Sequence, residues 1–200
     1  LQRFLYSREW VRDCNYYFES NAQLFGLTEL LSKMPNTKII ILFRDPRDWV
    51  RSWMNKGYWY DNKDILSKLN FLGLKRLDPK NVGMHLQGWH YFSRFQKLCW
   101  VWNYMNSNLT HSLDRTNVMS FTFEDLFISK DFHLTKNMFD FIFEHPQTEK
   151  YVNDFMGLTD NKVNQTVFDT FPHWKQWSDD QCRTLHSFCG DLMVKLGYGS

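Results

Sequence analysis

Apolar residues recur along this chain with two different periods. At Ile39-Ile40-Ile41-Leu42-Phe43 five stand side by side with no polar interruption. Three β-branched residues in so short a run predict a strand buried on both faces, as in a parallel sheet covered by helices. The period then changes. Asp45 suits a helix N-cap, Pro46 the first helical position and Asp48 the first turn, and Trp49, Val50 and Trp53 follow at helical spacing. A buried strand therefore feeds into a capped helix running from Asp45 to about Lys56.

The same reading places the other elements. The aromatic run Tyr16-Tyr17-Phe18 predicts a strand over residues 16–20, and Leu27, Leu30, Leu31 and Met34 form a helical stripe that Pro35-Asn36 ends. Strand–helix–strand across residues 16–43 has the length of a parallel crossover. The longest helix is predicted from His85 to about Asn106, with a core stripe through Trp89, Phe92, Phe95, Leu98, Cys99, Trp102 and Met105. A strand follows over 118–122, then helices from Thr135 to Phe143 and from Thr148 to Phe155. Ser178 and Gln181 form a capping box for the last helix, whose stripe ends at Gly197. Strands 16–20, 39–43 and 118–122 are expected as parallel neighbours with helices on both faces. The fold class is α/β, three layers with a central parallel sheet, in a single domain over residues 1–200.

Composition narrows the function. An apolar content of 43% over 200 residues supplies a core, and 18% aromatic residues argue against disorder. A net charge of +2 gives no basic face for nucleic acid. No apolar run is long enough to span a membrane, and no signal peptide is visible. The first residue is Leu1 rather than Met, so an internal fragment is expected. Compartment stays open between cytoplasm, which is favoured, and Golgi lumen, which an upstream anchor would select. Cys14, Cys99, Cys182 and Cys189 show no zinc spacing. Cys182 and Cys189 share a helix at a separation of about 10 Å, too far for a disulfide, and the cysteines read as mostly free and buried. No metal is expected. Asn108 and Asn164 begin N-x-S/T triplets that matter only in a secreted or Golgi context.

The chemistry concentrates where the strand at 39–43 meets its helix, because ligands bind at the carboxyl ends of strands in open α/β sheets. Arg44 precedes the cap and Ser52 lies eight residues on. That is about 10 Å along the helix, within reach of a folded-back arginine. Guanidinium, hydroxyl and the positive helix end can then meet on one phosphate. The alternative is an Arg44 paired with Asp48 and a Ser52 without a role. The loop residues Tyr58, Trp59 and Tyr60 either stack on a sugar or aromatic acceptor or pack beneath the loop as a lid. His85 and His90 face an acceptor or lie on the surface.

The run K-I-I-x-L-x-R-D-P-R-D-x-x-x-S resembles the segment of sulfotransferases that holds the 3′-phosphate of PAPS, 3′-phosphoadenosine 5′-phosphosulfate. The resemblance implies that Arg44 and Ser52 contact that phosphate. It extends from about Tyr17 to Tyr198. Glu19 matches a strand-end Glu that precedes the phosphate-binding strand in sugar sulfotransferases, while Ser20 stands where many members have Lys. The family's adenine-side Tyr is Phe123 here, within F-E-D-L. Trp174-Lys175 matches the end of the loop that closes over the 3′-phosphate, with Lys162 its one upstream cation. C-G-D-L-M-x-K-L-G-Y resembles the family's last helix.

The implied fold is the P-loop NTPase-like sulfotransferase fold, truncated at its N-terminus, since no Gly/Ser/Thr-rich loop for the 5′-phosphosulfate stands in these residues. The implied reaction moves a sulfuryl group from PAPS to a hydroxyl or amine of a small-molecule or carbohydrate acceptor, leaving adenosine 3′,5′-bisphosphate. Glu19 is then the nominated acceptor base, and Arg44, Ser52, Phe123 and Lys162 the nucleotide-binding residues. The fragment alone is expected to be inactive. A non-catalytic nucleotide-binding relative and a nucleotide kinase of P-loop architecture remain as alternatives.

Overall fold

The structure, a computed structural model, describes residues 16–56, 59–60, 76–143, 149–158 and 170–199. Lys162, Tyr58, Cys14 and Asn164 lie outside them. The first helix, α1, is short (Thr28–Ser32) and follows a 3₁₀ segment, Ala22–Leu27, capped by the Asn21 side chain. Strand β1 (Ile39–Phe43) leads into α2 (Pro46–Lys56). The chain returns through α3 (Arg94–Thr110) to β2 (Val118–Thr122), and closes with α4 (Phe132–Ile142), α5 (Glu149–Leu158) and α6 (Asp179–Lys195). The architecture is mixed α/β and mostly helical.

β1 and β2 pair in parallel, Ile39 opposite Val118 through to Phe43 opposite Thr122. Among the described residues these two strands make up the sheet. The expected third strand at 16–20 is absent: Tyr16 to Ser20 have no regular secondary structure and join no ladder. Their aromatic rings are used elsewhere. Tyr16 and Phe18 both pack on Phe143 at the end of α4, with centroids at 5.1 and 6.2 Å. Strand preference follows from neighbours, and here the neighbour is a helix end.

The pleat sorts β1 between two cores. Ile39, Ile41 and Phe43 face a cluster built with Val50 of α2, Leu98, Cys99 and Trp102 of α3, and Leu185, Cys189 and Leu192 of α6. Ile40 faces the other way, with Met119, Phe121, Leu126 and Met138. This alternation is the period-two geometry of a strand whose two faces pack on different clusters. Burial on both faces is only half met. Ile41 and Phe43 are 3% exposed, whereas Leu42 is 42% exposed. The second cluster rests on β2 and reaches back only as far as Ile40.

Two helix starts differ from expectation. The long helix begins at Arg94, not His85. Gly88 sits at φ 79° before an isolated turn, Trp89–Tyr91, and Ser93 with Gln96 forms a capping box. The left-handed Gly88 breaks the run that the aromatic stripe continues. Helix α4 starts at Phe132 because the Asp131 carboxylate accepts from the Leu134 amide. At α6 the Ser178–Gln181 capping box is present as expected, and Gly197 is left-handed at φ 84°.

The loop aromatics pack under the chain. Trp59 lies 4.2 Å from Trp53, and the Tyr60 hydroxyl donates to the Leu77 carbonyl. Arg94 donates to the carbonyls of Trp53, Met54 and Trp59 at 2.7–3.0 Å, closing the carboxyl end of α2. This is the end of α2 remote from Arg44, about 16 Å along an eleven-residue helix. His85 and His90 are exposed. Cys99 and Cys189 are buried and free, and Cys182 is free and exposed.

Candidate functional site

The junctions that follow β1 and β2 lie side by side, because parallel pairing brings both carboxyl ends to one rim. β1 delivers Arg44 and Asp45 there, and β2 delivers Phe123, Glu124 and Asp125. Asp45 is the N-cap of α2. Its carboxylate accepts the Arg47 amide at 2.8 Å and, from the Arg47 guanidinium, bonds of 2.6–2.9 Å. That pairing holds the Arg47 pKa above its ordinary value. Arg47 also lies 4.6 Å over the Trp174 ring.

Arg44 behaves differently. Its guanidinium lies 4.7 Å over the Phe123 ring. Its Nε is buried and has no hydrogen-bond partner among the described residues. The alternative pairing with Asp48 is not present. An arginine that is stacked, partly desolvated and without a carboxylate partner has donors to offer an anion.

The backbone that carries Arg44 is held at both sides of one peptide. The Arg44 carbonyl accepts from the Trp102 indole at 3.0 Å. The following amide, that of Asp45, donates to Glu124 Oε1 at 3.1 Å. Glu124 Oε2 in turn accepts from the Tyr198 hydroxyl at 3.0 Å. Burial, and then the Glu124 charge, push the Tyr198 phenol far above the ordinary tyrosine range, so it remains a donor. Asp125 closes the next turn through Thr122, whose hydroxyl lies 2.6 Å from its carboxylate.

The nominated residues divide accordingly. Arg44 and Phe123 are brought into contact. Ser52 is half-buried on the second turn of α2, and its hydroxyl makes no hydrogen bond among the described residues. Phe123 already carries Arg44 and stacks on Phe127 at 4.9 Å, so a base reaches its face only by displacing one of them. Glu19 is exposed and accepts from the Tyr17 hydroxyl. Its neighbours Tyr16 and Phe18 lie against Phe143. The adjacent Ile142 carbonyl accepts from Lys38, just ahead of β1. That contact belongs to the amino end of the strand, about 13 Å from Arg44's end. The structure does not bring Glu19 to Arg44.

Glu124, Trp102, Arg47 and Tyr198 are the site residues that sequence reasoning left out as site members. Glu124 entered only as part of F-E-D-L, and Trp102 as part of a core stripe. Trp174, placed by resemblance, does stand at the rim. Among the described residues no cluster of histidine, cysteine and carboxylate side chains forms a metal site. No described helix is long and apolar enough to cross a membrane. Comparison with protein-family models, curated proteins and solved structures finds no match to this chain.

Proposed function

We propose that this chain carries the 3′-phosphate-binding part of a PAPS-dependent sulfotransferase domain of P-loop-like fold. The observation that carries the reading is Arg44. It stands at the carboxyl end of a parallel strand and at the start of an eleven-residue helix, with a buried, unpartnered Nε and its plane over Phe123. A phosphate there meets the guanidinium, the positive helix end and, nearly two turns on, Ser52. In the full reaction the acceptor oxygen or nitrogen bonds to sulfur as the sulfur–oxygen bond to the nucleotide phosphate breaks. The acceptor proton passes to a base, and adenosine 3′,5′-bisphosphate leaves.

The second reading is a nucleotide-binding module without transfer chemistry. The placement of Glu19's neighbours at the amino end of β1 favours it, because a base must lie near the reacting centre. Calorimetry tests the shared core of both readings. Adenosine 3′,5′-bisphosphate should bind more tightly than adenosine 5′-monophosphate, and Arg44→Ala should remove the difference. Equal binding of the two nucleotides by the wild type would sink the 3′-phosphate assignment. Sulfuryl transfer from PAPS, assayed on a chain that carries a 5′-phosphosulfate loop, then separates enzyme from binding module.

A further inference from the structure

We infer that Tyr198 is a positioning residue for the Arg44 site, holding Glu124 so that Glu124 fixes the peptide between Arg44 and Asp45. Only the last step, a gain in anion affinity, rests on the nucleotide reading. The geometry is a closed ring through three distant parts of the chain. The Tyr198 hydroxyl donates to Glu124 Oε2, and the Asp45 amide donates to Glu124 Oε1. The Asp45 carboxylate holds Arg47, and Arg47 Nη2 returns to the Tyr198 carbonyl at 3.4 Å.

Local structure aims Tyr198 at this place. Gly197 turns the chain out of α6 at φ 84°, and the Tyr198 amide bonds back to the Met193 carbonyl at 2.8 Å. This is the bond pattern of a Schellman-type helix end, and it needs the left-handed residue. The side chain is then 8% exposed, with its hydroxyl directed at a carboxylate.

A carboxylate with two oxygens in different bonds is oriented by both. Losing the phenol leaves Glu124 free to rotate, and the Asp45 amide loses its fixed acceptor. The peptide carbonyl stays tied to Trp102, so the expected consequence is a looser Arg44, not a lost strand. A mere stitch between α6 and the sheet would change stability without changing the site.

The test uses the 200-residue chain and its Tyr198→Phe, Glu124→Gln and Glu124→Ala variants. Amide hydrogen exchange is read at Asp45, with Ile41 and Phe43 as internal references. Affinity is read by calorimetry for adenosine 3′,5′-bisphosphate and for inorganic phosphate. In Tyr198→Phe, exchange at Asp45 should quicken about tenfold against the references, and bisphosphate affinity should fall roughly five- to tenfold, the scale of one such hydrogen bond. Glu124→Gln can still accept from Asp45 and donate to the Tyr198 oxygen, so it should stay within about twofold of wild type, whereas Glu124→Ala should follow Tyr198→Phe. Unchanged exchange at Asp45 in Tyr198→Phe overturns the inference. So does faster exchange with unchanged affinity, which makes Tyr198 a stitch only. If the wild type binds neither probe, the nucleotide reading falls, and exchange alone decides the ring: faster upholds it, unchanged overturns it.

Discussion

The Arg44 guanidinium rests 4.7 Å over the Phe123 ring, one residue beyond the carboxyl end of each of two paired parallel strands. The pairing register makes this contact. Phe43 lies opposite Thr122, so the residues that follow are neighbours across the strands. The ring supports the cation on one side, and among the described residues its buried Nε has no hydrogen-bond partner.

Arg44→Ala should weaken adenosine 3′,5′-bisphosphate binding by about 1.5–3 kcal/mol, the worth of hydrogen bonds to a charged group. Ser52→Ala should cost less, about 0.5–1.5 kcal/mol. Titration calorimetry on both variants checks this. Unchanged affinity in both would remove the phosphate from this end of β1.

Trp102→Phe should lower stability by about 1–3 kcal/mol, because it strands the Arg44 carbonyl without its indole donor. Trp102 is 1% exposed, so a small cavity adds to the cost. The shift in urea midpoint measures it. A variant as stable as wild type would mean that water satisfies the carbonyl.

Arg94→Met should destabilise the carboxyl end of α2. Three carbonyls, those of Trp53, Met54 and Trp59, lose a charged donor. A loss of about 2–4 kcal/mol is expected when several such bonds go together. Hydrogen exchange should quicken in the last turn of α2 and not at Asp45. Equal change at both ends would show that α2 responds as one unit.

Alkaline stability should report Tyr198. Burial and the Glu124 charge raise its pKa above the ordinary value near 10. Above about pH 10 the unfolded chain releases this proton and the folded chain retains it. The folded state then binds more protons, so stability falls as pH rises. Tyr198→Phe removes this contribution and should flatten the decline. Urea midpoints at pH 8, 10 and 11 compare the two, and parallel curves would show an unperturbed phenol.

Glu19→Gln should leave adenosine 3′,5′-bisphosphate binding unchanged, since Glu19 belongs to a segment anchored at the other end of β1. The 200-residue chain should show little sulfuryl transfer from PAPS. Transfer builds charge on the leaving phosphate, and losing one preorganised donor costs on the order of a hundredfold in rate. Radiolabel transfer to sugar and phenol acceptors measures it. Robust turnover would mean that another part of this chain neutralises the phosphate.

The strand at Ile39–Phe43, the helix behind it and the last helix were legible in the sequence because each rests on local chemistry. A β-branched run, an Asp-Pro cap and a Ser-x-x-Gln box act within a few residues. The same logic, applied to Ser93-Arg94-Phe95-Gln96, would have placed the start of α3 and was masked by the aromatic stripe running through it. Arg44 was legible as a candidate for the same reason: it stands between a strand and a cap. Strand status at Tyr16–Ser20 was not, because a strand needs a partner, and these rings found Phe143 instead. Nor did any local pattern join Glu124 to Asp45 and Tyr198, which lie 79 and 74 residues away along the chain. Those bonds exist because parallel pairing brings two strand ends to one rim and a left-handed Gly197 turns the end of α6 onto it. The sequence by itself determined the caps of α2 and α6 and where a cation stands. Only the tertiary structure decided which carboxylates are occupied elsewhere, and hence that Arg44 is left with an unpartnered, buried donor.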